Sequence, residues 1–136
     1  MHEPLDGRAN GPVILVVEDE VLIRLDNAEE LRHAGYRVIE AADAPEALGF
    51  LSGSEPLHQL VTDINMPGAL DGLELAEMAR SLRPGLPIVL ASAHAPHGFE
   101  ADRVIRKPYF ASELVKIANE LIEATWRTGN DNQQAC

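Results

Sequence analysis

Val13-Ile14-Leu15-Val16-Val17-Glu18-Asp19 decides how this chain is read: five consecutive apolar residues, the length of a strand, break off into two acids. Three later runs end in the same way. Leu60-Val61-Thr62 stops at Asp63, Ile88-Val89-Leu90-Ala91 stops at Ser92, and Val104-Ile105 is followed, after Arg106, by Lys107. Runs that are apolar at nearly every position suit strands buried on both faces, so helices should lie on both sides of the sheet. Right-handed crossovers between parallel strands place all strand C-termini on one edge, where ligand sites of such sheets gather. Glu18, Asp19, Asp63, Ser92 and Lys107 are therefore expected to meet.

The intervening stretches read as helices, which gives the alternation of a βαβ fold. Residues 20–34 carry Leu22, Ile23, Leu25, Ala28 and Leu31 at helical spacing, and Gly35 supplies a stop. Residues 36–40 read as a short second strand. Asp43 with Glu46, and Asp71 with Glu74, form capping boxes that open the next two helices, the second ending by Pro84-Gly85. Residues 111–126 show Leu114, Ile117, Ala118, Leu121 and Ile122 on one helical face. One domain is expected over residues 12–126. Residues 1–11 and 127–136 are polar, Gly- and Asn-rich, and read as flexible tails.

Twenty-two acidic residues against 11 basic ones give a net charge of -11, which repels phosphate backbones and anionic lipid at long range. No nucleic-acid or membrane partner is expected. The longest apolar run falls far short of the roughly 20 residues that span a bilayer. Cys136 is the only cysteine, so no internal disulfide is possible and a reducing, cytoplasmic setting is expected.

Three carboxylates drawn together at Glu18, Asp19 and Asp63 are costly unless a cation neutralises them or some take up protons. A hard divalent ion such as Mg²⁺ suits oxygen ligands and retains exchangeable waters. An ionised carboxylate is a competent nucleophile towards phosphorus, and the Lys107 ammonium can neutralise phosphoryl oxygens in flight. Ser92 has a hydroxyl to donate to one of those oxygens, or to cap the segment that follows it. An aspartate-nucleophile phosphohydrolase is the enzymatic alternative, but such enzymes place a second acid two residues beyond the nucleophile, where this chain has Asn65.

Four segments, Val16-Val17-Glu18-Asp19, Thr62-Asp63-Ile64-Asn65-Met66-Pro67-Gly68 with Asp71-Gly72, Ala91-Ser92-Ala93, and Lys107-Pro108-Tyr109, together resemble the receiver domain of bacterial two-component response regulators. The resemblance implies a flavodoxin-like, doubly wound sheet of strand order 2-1-3-4-5. It also implies that Asp63 is the phosphoacceptor, that Asp19 and Asp63 bind Mg²⁺ directly with Glu18 helping through water, and that the Asn65 carbonyl completes the protein ligands. Lys107 and Ser92 then serve catalysis, while Asn65 and His94 flank the path of the attacking water and tune the lifetime of the phosphorylated state. The implied donor is a sensor histidine kinase or a phosphotransfer domain in a phosphorelay. Such a receiver catalyses its own phosphorylation and slow dephosphorylation and is not a metabolic enzyme.

Three departures from the family pattern bear on output. The usual switch aromatic, three residues before the lysine, is here Val104. Only fourteen residues, 93–106, separate Ser92 from Lys107, so the helix between the fourth and fifth strands is expected to be short, irregular or absent. Gly68-Ala69-Leu70 lengthens the loop beside Asp63. His94 and His97 lack a further His or Cys partner and read as loop residues, not a metal pair. No effector domain is expected after residue 126. The reading is thus a single-domain response regulator, a monomer or weak homodimer signalling to an unidentified protein effector. The alternative is a receiver-fold binding module or phosphate sink without a classical conformational output.

Overall fold

The computed structural model describes residues 11–94 and 98–135, with residues 126–135 as backbone only. The elements run β1 (Val13–Val17), α1 (Val21–His33), β2 (Arg37–Ala41), α2 (Ala44–Ser52), β3 (Gln59–Asp63), α3 (Gly72–Leu82), β4 (Ile88–Ser92), β5 (Arg103–Arg106) and α4 (Ala111–Ala135). All pairings are parallel and the strand order is β2-β1-β3-β4-β5. The register aligns Val17 with Ala41 and Thr62, Asp63 with Ala91, and Ser92 with Arg106. The strand-end polar residues therefore stand on one edge.

Strict alternation along each strand sorts the core into two layers. Leu15, Val17, Leu60, Ile88 and Leu90 pack against α2 and α3 through Ala47, Leu51, Leu75, Ala76 and Ala79. Ile14, Val16, Val61, Val89 and Ala91 pack on the other side against Leu31 of α1 and Leu114 and Ala118 of α4. The Asp71 box forms in full: Asp71 accepts from the Glu74 amide at 2.9 Å, and the Glu74 carboxylate accepts from the Asp71 amide at 3.0 Å. The expected Asp43 box forms only in half: Asp43 accepts from the Glu46 amide at 2.9 Å, but the Glu46 carboxylate accepts from the Ala42 amide at 2.7 Å, one residue before the cap.

The sequence reading of α1 is corrected. Leu31 and Ala28 are buried, but Leu22 is 81% exposed and Leu25 48%. The cause is the spacing: a step of three residues turns about 300°, so repeated steps of three walk off a face that needs alternating threes and fours. The strand β2 lies one residue further on than expected. The last helix is also longer than read, continuing through residues 127–135 to Ala135, because nothing there sterically stops a helix as a proline would. Residues 1–10, read as a tail, lie outside the described residues.

Among the described residues between β4 and β5 there is no helix; Ala95, Pro96 and His97 lie outside them. The stretch that follows is anchored to α3 and β4 instead. The Arg80 guanidinium sits 4.6 Å over the Phe99 ring and donates to the Glu100 carbonyl at 3.0 Å. Asp102 accepts from the Ile88 amide at 2.7 Å and returns its own amide to the Ile88 carbonyl at 2.9 Å. Phe99 and Ala101 close that part of the core.

Candidate functional site

Asp63 ends β3 with its carboxylate buried, 4% exposed as a residue. Its Oδ1 accepts from the Asn65 amide at 3.1 Å and its Oδ2 from the Lys107 ammonium at 2.8 Å. Lys107 Nζ also lies 3.9 Å from Glu18 Oε1. Glu18, equally buried, accepts from the Glu20 amide at 3.1 Å through Oε2. Asp19, half-buried, completes a cluster in which one oxygen from each of the three carboxylates lies within 4.8 Å of the others.

The electrostatics follow from crowding acids in a dry place. Burial, foremost, pushes the Glu18 carboxyl up to about 7; the Glu20 amide opposes this and the nearby Asp63 charge adds to it. Burial on its own would lower the Lys107 ammonium, but its bond to Asp63 and the charge of Glu18 outweigh that and hold it above its usual value. The site thus carries more negative charge than its ammonium offsets. Three hard oxygen donors with this surplus suit Mg²⁺ in type and in number, with room left for water.

Ser92 stands at the same edge, 4% exposed. Its hydroxyl, however, donates to the His94 carbonyl and accepts from the His94 amide at 3.1 Å. It caps the segment that follows and is engaged there, not with Asp63. Asn65 and His94 are exposed beside the cluster. Val104 is 38% exposed and pairs with Leu90, on the α2/α3 side of the sheet.

Several supporting residues escaped the sequence reading. A Cβ added to Gly72 would lie 1.9 Å from the Asp63 carbonyl oxygen, so the first turn of α3 presses its bare backbone against the strand end that presents Asp63. The signal was a glycine directly after an N-cap. Arg24 donates to the Glu18 carbonyl at 2.9 Å and pairs with Glu40 at 3.4 Å, fixing the backbone where β1 turns into α1. Asn27 is 3% exposed and donates to the Tyr109 hydroxyl at 2.9 Å. An amide on the buried face of a helix was legible as an oddity, since Asn is a poor helix former, but its partner 82 residues away was not.

The profile of the response regulator receiver domain family matches residues 14–119. The transcriptional regulatory protein PrrA of Mycobacterium tuberculosis is 29% identical over 137 aligned residues, covering 96% of this chain and 58% of PrrA. The chain thus spans a little over half the length of that curated relative. A CheY-like receiver domain protein from Methanospirillum hungatei superposes with a TM-score of 0.79 at 28% identity, over 88% of this chain and 99% of that one. The response regulator TrrA of Thermotoga maritima, solved in complex with Mg(2+)-BeF, gives 0.70 at 34% identity over 81% of this chain and 98% of its own.

Proposed function

The chain belongs to the response regulator receiver domain family, and from that premise we propose that Asp63 accepts a phosphoryl group from a sensor histidine kinase or phosphotransfer domain. The product acts as a phosphorylation-dependent interaction switch or phosphate carrier. The observation that carries this reading is the 2.8 Å contact of Lys107 Nζ with Asp63 Oδ2 inside the acidic cluster. A carboxylate oxygen of Asp63 bonds to phosphorus while the bond from phosphorus to the donor nitrogen breaks, the donor imidazole leaving with the electron pair. Lys107 turns from the carboxylate to a phosphoryl oxygen. Ser92 releases the His94 carbonyl and donates to another oxygen by rotation of its side chain. Glu18, Asp19, Asp63 and the Asn65 carbonyl are the residues that hold Mg²⁺, which when bound supplies neutralising charge to the phosphoryl oxygens. Asn65 and His94 set access of water to the aspartyl phosphate.

A surface for the donor is available at the same edge. Leu22 of α1 lines a cleft with Lys107, and Val21, Leu22 and Leu25 of α1 and Phe110, directly before α4, expose apolar side chains. No described helix is long and apolar enough to cross a membrane, in keeping with a cytoplasmic placement. The acidity of this domain leaves protein contact as its own mode of output. The half-exposed Val104 favours, as a second reading, a phosphate sink that lacks the output path through β5.

Acetyl phosphate with Mg²⁺ is expected to add one phosphoryl group to the intact protein, read by mass, and Asp63→Asn to abolish the addition. Labelling of the variant at the wild-type rate overturns the assignment.

A further inference from the structure

We propose that Tyr109 and Asn27 are positioning residues that carry the state of the Asp63 site to α1, so that this receiver reports phosphorylation on its α1/α4 face. The inference rests on the phosphoacceptor reading above and adds a route for its output. Val104 does not supply that route: it is an aliphatic side chain, 38% exposed, and belongs to the opposite face of the sheet through its partner Leu90.

Tyr109 is built differently. It stands two residues after Lys107, and its ring packs against the core layer shared by α1 and α4. Between the two lies Pro108, whose ring holds its own φ, so a displacement of the Lys107 backbone has fewer torsions in which to dissipate before it reaches Tyr109. The Tyr109 hydroxyl accepts from Asn27, a side chain 3% exposed in the middle of α1. A buried amide is retained there at a cost unless it is bonded, and Tyr109 is the partner that the structure provides. The pair also frames a cleft of about 210 Å³ lined by Leu22, Asp26, Lys107 and Pro108, which opens on the α1 surface.

The electrical link is direct as well. Burial chiefly holds the Tyr109 hydroxyl above its usual pKa and the Asn27 bond lowers it, while the charges of Glu18, Lys107 and Asp63 all reach it. When the Lys107 ammonium leaves Asp63 Oδ2 for a phosphoryl oxygen further out, its backbone is drawn towards the site. Tyr109 follows, and the Asn27 bond either moves α1 with it or breaks. In both cases α1 has two arrangements, selected at Asp63.

The test uses the full ¹⁵N-labelled chain with Mg²⁺ and beryllofluoride as the phosphoryl mimic, following amide resonances in wild type, Tyr109→Phe, Asn27→Leu and the double variant. In wild type, resonances around Asp63 and along residues 27–31 are expected to shift together. Tyr109→Phe keeps the ring and its packing; the shifts around Asp63 should persist while those at 27–31 fall at least twofold. The double variant should lose no more than either single one, the mark of residues acting as a unit. If Asn27→Leu does not fold, Tyr109→Phe decides alone. Full-sized α1 shifts in Tyr109→Phe overturn the proposal, as does a wild-type response at Asp63 that never reaches α1. No response around Asp63 in wild type overturns the phosphoacceptor reading first, and this inference with it.

Discussion

At the scale of single residues, the buried Glu18 carboxyl gives the site a pH dependence whose sign is fixed by burial. Its pKa rises from 4.5 to about 7 on folding, so the folded chain retains a proton that the unfolded chain releases. The stabilisation linked to that proton is complete below about 4.5 and is lost as pH rises through about 7. Binding of Mg²⁺ has the opposite trend, because its ligands must be deprotonated. Affinity should rise between about pH 6 and pH 8 with release of a proton, as titration calorimetry in buffers of different ionisation enthalpy will show. Glu18→Gln should flatten that dependence. An affinity that is level across the range in wild type contradicts the assignment of the proton to Glu18. The acids themselves were legible in the sequence, since each interrupts an apolar run; the raised carboxyl was not, because it depends on how deeply β1 is covered.

At the scale of elements, Gly72 joins α3 to the end of β3 more tightly than any other residue type permits. Gly72→Ala would place a methyl 1.9 Å from the Asp63 carbonyl oxygen. Backbone must shift, at a cost of about 1–3 kcal/mol by urea denaturation, and the rate of labelling by acetyl phosphate should fall with it because the nucleophile is displaced. A variant with wild-type stability and rate would show that α3 can retreat freely. The N-caps at Asp43 and Asp71 were readable because a cap is a contact over three residues. The exposed Leu22 and Leu25 were misread because the repeated steps of three that join them to Ala28 and Leu31 walk off the buried face of the helix. The shortage of chain between Ser92 and Lys107 did announce that no helix stands among the described residues there. Arg80, Phe99 and Asp102, which hold the described part of that stretch to α3 and β4, were visible only as contacts.

At the scale of the whole molecule, a chain of net charge -11 concentrates three of its acids at one strand edge, and only Lys107 is ion-paired with two of them among the described residues. A cation bound there should stabilise the fold. Mg²⁺ at about a hundredfold above its Kd is expected to add about 2.7 kcal/mol to the unfolding free energy, and Asp63→Asn should remove most of that gain. An unfolding midpoint indifferent to Mg²⁺ would speak against the metal assignment. The amino-acid sequence by itself determined the alternation of strands and helices, the sheet that results, and the convergence of Glu18, Asp19, Asp63, Ser92 and Lys107, because apolar runs and their polar ends are local patterns that parallel topology turns into one edge. Only the tertiary structure decided that Lys107 meets Asp63 across 44 residues, that the Ser92 hydroxyl turns to His94, and that Tyr109 is tied to Asn27 across 82. Those contacts depend on how crossovers set one element against another to within a hydrogen-bond length, and periodicity along a chain carries no distance of that kind.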